Sequence, residues 1–428
     1  MKRFSSLYLN VSISMFLFIL SAHGTQLVFE NSQFSFQALR VIGYTASGCA
    51  DIGDCLSTCY RITDGDVESW YSEWLGTAQM TEAKAEDYLD QGFTESAREC
   101  YFRASGYYRA AEFFLHTEMD DPRMLQTWEK SRDAFLSAAS LSERPIIPIR
   151  IPFEDGYIPA YLCLVDSSGV ERPILLSHSG FDGTKEELYF SLGSAAVERG
   201  YNCLLFEGPG QGEAIRVQGL CFIPDWESVV TPVVDYALGL PFVDPERIAL
   251  VGYSMGGYLA PRAVAYEHRI AACVANGAVY SMYESALGRN PPGTDELLDD
   301  EEASRQYDQV IYGMMDDVLF VKWFYTNGMW TFGADSPSDF MRMMRAYTMD
   351  GCVREVSCNM LLLDSQNDQL ACNQAMVLFD SLQCPKEYIL FTEQEGADEH
   401  CQMGALFDSN ERIFNWLDSV LLITPVSS

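Results

Sequence analysis

Residues 248–257 read IALVGYSMGG, and this segment is the strongest indication of the fold of the chain. The apolar run that ends at Gly252 is typical of a strand buried on both faces, and a helical pattern follows Gly257. A G-x-S-x-G sequence at such a turn lifts the serine hydroxyl into a cleft, and its glycines avoid collisions at the bend. We therefore predict that Ser254 is a nucleophile and that the Met255 N–H donates to a developing oxyanion.

A serine hydroxyl is a poor nucleophile at neutral pH, so it needs a general base and an acid that orients the base. In chains with this serine turn, the acid and then the histidine follow later strands of the sheet. His400 follows the last predicted strand and is the predicted base, with a surface-loop histidine as the alternative. Asp368 ends the turn after the preceding strand and is the predicted acid. Asp364 is the second candidate for the acid, but it still abuts that strand and is interpreted as structural.

The loop after the third predicted strand should supply a second oxyanion donor. It reads SHSGFDGT over residues 177–184, and we expect the N–H of Phe181, or failing that of Gly180, in this role. His178 is expected to brace the loop, with a titrating role in catalysis as the alternative. The loop at residues 208–212 (GPGQG) is expected to shape the cleft wall, because it is not a G-x-G-x-x-G sequence that opens a helix.

Strand-like and helical segments alternate over residues 144–428, which predicts an α/β fold with a mostly parallel eight-stranded sheet. Residues 25–143 carry helical spacing from Asp66 onward, so we predict an N-terminal helical domain there. A strandless stretch over about 280–356 predicts a lid insertion after the sixth strand. The predicted strands are Ile146–Ile151, Tyr157–Val165, Pro173–Ser177, Asn202–Phe206, Ile248–Gly252, Ala271–Ala275, Met360–Leu363 and Glu387–Phe391.

The formal charge is −33, from 61 acidic and 28 basic residues among 428. This charge argues against a nucleic-acid partner, because phosphate binding needs a dense Lys and Arg surface. It also argues against adsorption to anionic lipid. Solubility is the plainer interpretation, and a field that repels anionic substrates is the alternative. The sequence leaves a homo-oligomer open.

The first 24 residues have the composition of a secretory signal peptide, with cleavage after Gly24. We therefore predict a protein of the secretory pathway, with an uncleaved anchor as the alternative and no later membrane span. Three of the 13 cysteines, Cys49, Cys55 and Cys59, lie close together in a Gly- and Asp-rich segment and are the predicted disulfide candidates. They lack the spacing and the histidine of a metal site, so we predict no metal.

Residues 179–187, 208–213 and 396–402, together with the Ser254 turn, resemble one branch of the α/β-hydrolases. That branch includes 2,6-dihydroxypseudooxynicotine hydrolase and fungal hydrolases that shorten or tailor polyketides. The resemblance implies an α/β-hydrolase fold with a helical cap over the active site, and cleavage of C–C bonds next to a carbonyl. It also implies an accessory glutamate after the sixth strand in some members. Glu284 is the candidate, with a solvated helix start as the alternative.

These inferences combine into an expected serine hydrolase with a Ser254–Asp368–His400 triad that acts on a small carbonyl compound. Hydrolysis of a C–C bond needs a leaving group that departs as a stabilised carbanion or enolate. We therefore expect a β-dicarbonyl or acyl-aromatic compound of secondary metabolism. A carboxylesterase or peptidase-like hydrolase, a ring-closing acyl transfer and an inactive binding protein are the alternatives. This chemistry needs neither a metal nor an organic cofactor.

Overall fold

One eight-stranded sheet organises the part of the chain that the computed structural model describes, residues 27–287, 294–371 and 373–422. The strands are β1 (Ile146–Phe153), β2 (Gly156–Cys163), β3 (Arg172–His178), β4 (Asn202–Phe206), β5 (Val243–Tyr253), β6 (Ala272–Asn276), β7 (Asn359–Ser365) and β8 (Lys386–Phe391). They lie in the order β1-β2-β4-β3-β5-β6-β7-β8. The pairs from β4 to β8 are parallel, and β2 is antiparallel to both its neighbours. The predicted fold class is confirmed.

From residue 27 onward, five α-helices precede the sheet, and we call them the N-terminal helices. They are α1 (Ser32–Gly43), α2 (Ile52–Cys59), α3 (Val67–Asp90), α4 (Thr94–Glu112) and α5 (Pro122–Ser140). Helical spacing predicted α3 to α5, whereas α1 and α2 lie before Asp66, where the sequence pattern is mixed. Asn31 begins α1, because its side chain accepts the N–H groups of Gln33 and Phe34. The helix then buries Phe34, Ala38 and Val41 on one face.

The disulfide prediction is wrong: Cys49, Cys55 and Cys59 are buried free thiols, as are most of the other cysteines that the structure describes. Cys55 and Cys59 lie four residues apart on α2, so both point to the same side of one helix and pack into the core. The Cys49 thiol instead donates to the Phe102 carbonyl oxygen at 3.6 Å. Burial raises the pKa of all three thiols and keeps them protonated.

Helices also connect and cover the strands. Those before β6 are α6 (Lys185–Leu188), α7 (Ser194–Glu198), α8 (Gly212–Gln218), α9 (Glu227–Leu238) and α10 (Gly256–Val264). Between β6 and β7, leaving out residues 288–293, lie five more, which we call the inserted helices: α11 (Met282–Leu287), α12 (Thr294–Leu298), α13 (Glu301–Met315), α14 (Leu319–Phe332) and α15 (Pro337–Met344). The last two are α16 (Gln374–Ser381) and α17 (Leu406–Val420).

Apolar side chains cover both faces of the sheet, and every residue of β4 and β6 is buried. Val233 of α9 and Tyr258 of α10 belong to the core on one face. Ile413 and Phe414 of α17 belong to the core on the other. Because the parallel strands end at one edge, their following loops meet there.

The N-terminal helices are joined to the loop after β3 by buried ion pairs. Arg109 of α4 lies 2.8 Å from Glu187, 2.7 Å from Glu112 and 3.0 Å from Asp182. Arg40 of α1 pairs with Asp182 at 2.7 Å and with Glu187 at 2.8 Å. The Arg109 side chain is only 5% exposed, so these charges depend on one another for solvation.

The predicted signal segment, residues 1–24, lies outside the described residues and stays a prediction. Among the helices that the structure does describe, none is both long and apolar enough to cross a membrane. The inserted helices contact the segment between α4 and α5, since Trp323 of α14 stacks on Phe113 with ring centroids 4.8 Å apart.

Replacing Arg109 with methionine should lower the free energy of unfolding by about 3–5 kcal/mol, because three carboxylates would lose a buried cationic partner. Urea denaturation followed by tryptophan fluorescence measures this change. Arg305→Met is the matched control, since Arg305 pairs with Glu301 and Glu302 on the exposed surface of α13. Equal stability of the two variants would contradict the prediction.

Candidate active site

The turn at Ser254 connects β5 to α10 with an uncommon backbone conformation. Ser254 has φ of 60°, in the left-handed region that residues other than glycine seldom adopt. A Cβ added at Gly252 would lie 2.1 Å from the Gly256 carbonyl oxygen, and one at Gly257 would lie 2.2 Å from that of Gly277. Close backbone packing therefore requires both glycines, and the serine side chain is left to line a cavity.

Three side chains from three loops form one hydrogen-bonded chain at the carboxyl edge of the sheet. The Ser254 Oγ lies 2.9 Å from the His400 Nε2, and the His400 Nδ1 lies 2.7 Å from the Asp368 Oδ2. The other Asp368 oxygen accepts the N–H groups of Leu370 at 2.7 Å and Ala371 at 3.1 Å. The structure thus brings together the three residues that the sequence predicts as a triad.

Burial and charge act in opposite directions on the His400–Asp368 pair. Burial alone would lower the pKa of His400 and raise that of Asp368, because it penalises both charged forms. Their mutual attraction and hydrogen bond outweigh it, so the pKa of His400 is raised above its usual range and that of Asp368 is lowered. The carboxylate therefore stays ionised beside the imidazole and fixes the ring with Nδ1 protonated, which leaves Nε2 to accept a proton.

Asn276, at the end of β6, ties the serine turn to the histidine loop. Its carbonyl oxygen accepts the Ser254 N–H at 2.9 Å and the Cys401 thiol at 3.7 Å. Its Nδ2 donates to the Gln402 Oε1 at 2.9 Å, and the Gln402 Nε2 donates to the Ser365 Oγ at 3.0 Å. Sequence reasoning missed Asn276, although a polar residue that closes the apolar strand ACVAN is a usable signal.

Cys401 lies closer to the reacting groups than the sequence indicated. Its Sγ is 3.5 Å from the His400 Nε2, the same nitrogen that faces Ser254. Cys401 and Gln402 both have φ of 53°, so the chain bends sharply just after the histidine. The His400 imidazole, just before this bend, faces the Ser254 hydroxyl.

The backbone after β3 lies directly against the Met255 amide. A Cβ added at Gly180 would lie 2.5 Å from the Met255 N and 2.8 Å from the Tyr253 carbonyl oxygen. Only glycine fits this approach. The two segments expected to supply oxyanion donors, at Met255 and at Phe181, are therefore adjacent.

His178 is fully buried at the end of β3, packed against Phe206 and Trp226. Its Nδ1–H donates to the Ser179 carbonyl oxygen at 2.9 Å. Burial lowers its pKa to about 4, so the ring is neutral at physiological pH. This geometry suits a side chain that braces the loop.

Two further candidates lie away from the reacting groups. Glu284 is exposed in the first turn of α11 and does not line the cavity, so the structure does not support its accessory role. The exposed position of Glu284 at the start of a helix instead fits the alternative interpretation, a solvated helix start. Asp364 accepts a hydrogen bond from the Tyr388 hydroxyl on β8 at 2.9 Å, which fits its structural interpretation.

A cavity of about 570 Å³ opens onto Ser254 and His400. The N-terminal and the inserted helices both contribute to its walls. Among its other lining side chains are the aromatic rings of Phe113, Phe320 and Trp323 and the charged groups of Arg40, Asp182 and Glu187. Within the described ranges, no group of three or more His, Cys, Asp or Glu side chains is arranged to hold a metal ion.

A serine turn after β5, an acid after β7 and a histidine after β8 define the α/β-hydrolase arrangement. Two sequence families match the chain accordingly. The family described as "Esterase FrsA-like" matches residues 54–288, and the "Alpha/beta hydrolase family" matches residues 174–405. The chain therefore belongs to the α/β-hydrolases and is a hydrolase.

Individual relatives narrow this assignment. Hydrolase acrC of Aspergillus aculeatus is 34% identical over 411 residues, which cover 90% of this chain and 96% of that protein. The 20-hydroxy-prefusarin hydrolase FUS2 of Gibberella moniliformis is 32% identical over 412 residues, covering 92% and 98%. The crystal structure of 2,6-dihydroxy-pseudo-oxynicotine hydrolase superimposes with a TM-score of 0.71 at 19% identity, covering 90% of this chain and 99% of its own. The predicted branch of the family is confirmed.

Asp368→Asn should slow hydrolysis by about 10⁴-fold, because an amide cannot stabilise the imidazolium or fix its tautomer. His400 must be neutral to take the serine proton, so its raised pKa places the acid limb of kcat/KM above the ordinary value of about 6.5. The residual activity of the variant should show this limb at lower pH. Steady-state rates across the pH range measure both effects.

Asp364→Asn is the matched control and should leave the acid limb in place. A limb that stays fixed in Asp368→Asn would contradict the assignment of His400 and Asp368 as a coupled pair.

Proposed function

We propose that this protein is a serine hydrolase that cleaves a C–C bond next to a carbonyl in an aromatic or polyketide secondary metabolite. The observation that carries the proposal is the Ser254–His400–Asp368 chain of hydrogen bonds at the wall of the cavity. A hydroxyl in contact with an oriented imidazole is the arrangement that activates serine.

In the proposed reaction, the Ser254 oxygen attacks the carbonyl carbon while its proton passes to the His400 Nε2. The N–H groups of Met255 and Phe181 stabilise the tetrahedral oxyanion, and each such donor lowers the barrier by roughly 3 kcal/mol. The C–C bond then breaks, and the departing enolate takes the proton from His400. Water, deprotonated by the same imidazole, hydrolyses the acyl-enzyme and regenerates the serine.

The cavity supports a flat substrate with polar substituents. Its volume falls within the range of about 300–1,000 Å³ typical of small-molecule sites. Phe113, Phe320 and Trp323 offer apolar ring surface, and Arg40 and Asp182 offer hydrogen-bonding groups. A relative at 32% identity is named a 20-hydroxy-prefusarin hydrolase, which supports a secondary metabolite as the substrate class.

An ester-cleaving role is the second candidate, and the match to the FrsA-like esterase family favours it. The same triad would serve, with an alkoxide in place of the enolate as the leaving group. A peptidase-like reaction, or ring closure by an internal amine or hydroxyl that replaces water, would use the same acyl-enzyme. Relative rates on matched substrates separate these candidates.

Ser254→Ala should abolish labelling by a fluorophosphonate and reduce turnover by about 10⁴-fold or more, because the nucleophile is removed. The wild-type protein should gain one covalent adduct on Ser254, located by peptide mass spectrometry. A panel of aryl ketones, 1,3-diketones and nitrophenyl esters, with products read by mass, then tests the bond that is cleaved.

Ser228→Ala is the matched control, since Ser228 is exposed near the start of α9 and its hydroxyl donates to the Asp225 carbonyl oxygen at 2.7 Å. It should label and turn over like the wild type. Absence of any adduct on wild-type Ser254 would overturn the serine mechanism. Cleavage of esters far faster than any diketone would favour the second candidate.

A further inference from the structure

Three consecutive carbonyl groups after His178 are held by buried amide side chains that the proposed reaction does not use. The Gln211 Nε2 donates to the Ser179 oxygen at 2.6 Å and to the Gly180 oxygen at 3.2 Å. The Asn327 Nδ2 donates to the Phe181 oxygen at 3.1 Å. Neither amide lines the cavity, so both act on the loop from behind.

Gln211 is itself fixed by the GPGQG loop. Its Oε1 accepts the Gly208 N–H at 3.0 Å, and its own N–H donates to the Gly208 oxygen at 3.0 Å. The side chain is buried, with 1% of the residue exposed. A Cβ added at Gly212 would collide with the Glu207 carboxylate at 1.8 Å, and Glu207 pairs with Lys185 at 3.0 Å. The loop is therefore a rigid support for the Gln211 amide.

Asn327 is oriented by His116, in the short turn after α4, and through it by Glu112 at the end of α4. It lies on α14, is fully buried, and its Oδ1 is 2.8 Å from the His116 Nδ1. The His116 Nε2 lies 2.8 Å from the Glu112 Oε1. With its oxygen engaged by His116, the Asn327 amide presents its NH₂ to Phe181.

Peptide geometry converts these contacts into a direction for the Phe181 N–H. The described chain contains no cis peptide bond, so the Gly180 C=O and the Phe181 N–H lie on opposite edges of one plane. Because the carbonyl faces Gln211, the N–H faces the other way. Gly180 packs directly against the Met255 amide, the other expected donor.

We propose that Gln211 and Asn327 are positioning residues that hold the Phe181 N–H in place for the oxyanion. This inference rests on the proposed serine mechanism and adds two residues to it. Donors fixed before the reaction stabilise the transition state without a cost of reorganisation. Since Asn327 belongs to the inserted helix α14, the position of that helix beside the cavity is coupled to the conformation of the loop that contains Phe181.

The test is Gln211→Met, which keeps side-chain length and removes the hydrogen bonds. Its matched control is Gln218→Met in α8, where Gln218 holds a backbone segment in the same way: its Oε1 accepts the Tyr157 N–H at 3.0 Å and its Nε2 donates to the Tyr157 oxygen at 2.9 Å. Gln218 does not line the cavity. Steady-state kinetics are measured on the best substrate from the panel.

Gln211→Met should lower kcat by about 100-fold with KM within about threefold, because the loss falls on the transition state. Affinity for an aryl trifluoromethyl ketone, which forms an oxyanion with the serine, should fall in parallel. Affinity for the matching methyl ketone should stay within about threefold. Gln218→Met should match the wild type in all four quantities.

Asn327→Leu changes a residue on a separate helix and should likewise lower kcat and the affinity for the trifluoromethyl ketone. This second variant tests the proposal if Gln211→Met does not fold. Either folded variant with wild-type kcat overturns its residue's positioning role. A loss confined to KM, or equal losses for both ketones, also overturns it. A wild-type enzyme without turnover or serine adduct would instead overturn the proposed function, so the two failures are distinguishable.

Discussion

One backbone carbonyl, that of Asn276, fixes the serine turn and the histidine loop relative to each other. On either side of it the chain adopts left-handed φ values, at Ser254 and at Cys401 and Gln402. Each such residue costs of order 1–3 kcal/mol and persists only where the surroundings over-determine it. Here the backbone carbonyl and side-chain amide of Asn276, together with the tight contacts of the glycines, hold these residues in the left-handed conformation. The separation of 2.9 Å between hydroxyl and imidazole follows from these contacts.

Another part of the cavity wall consists of charged side chains. Arg40 and Arg109 both pair with Asp182, which precedes α6, and with Glu187, which lies in its first turn. In a buried setting such charges stabilise only as a complete set. The loop that approaches the serine is thus braced from outside the sheet, and the N-terminal helices take part in the geometry of the site as well as in its enclosure.

The sequence predicts best those features that depend on local pattern. The central strands β3 to β7 each contain a buried apolar run. Ser254 follows β5, Asp368 follows β7 and His400 follows β8, so topology places the three side chains together. α1 was not predicted as a separate helix because its apolar face is short and the sequence pattern before Asp66 is mixed. Gln211 and Asn327 could not be predicted, since their carbonyl partners lie roughly 30 and 146 residues away and leave no trace in spacing. The disulfide prediction for Cys55 and Cys59 was wrong because both lie on one helix, whose geometry keeps their side chains from pairing. The number and proximity of the cysteines in the sequence do not show this geometry.

The four charges between the N-terminal helices and the loop after β3 constrain how this architecture can be recombined. A crossover between α5 and β1, the natural seam between the helices and the sheet, would take Arg40 and Arg109 from one parent and Asp182 and Glu187 from another. A hybrid that inherits only half of this set would bury unpaired charge beside its own reaction centre. New helices can therefore be grafted onto this sheet, to enlarge or reshape the chamber, only when both guanidinium groups travel with them.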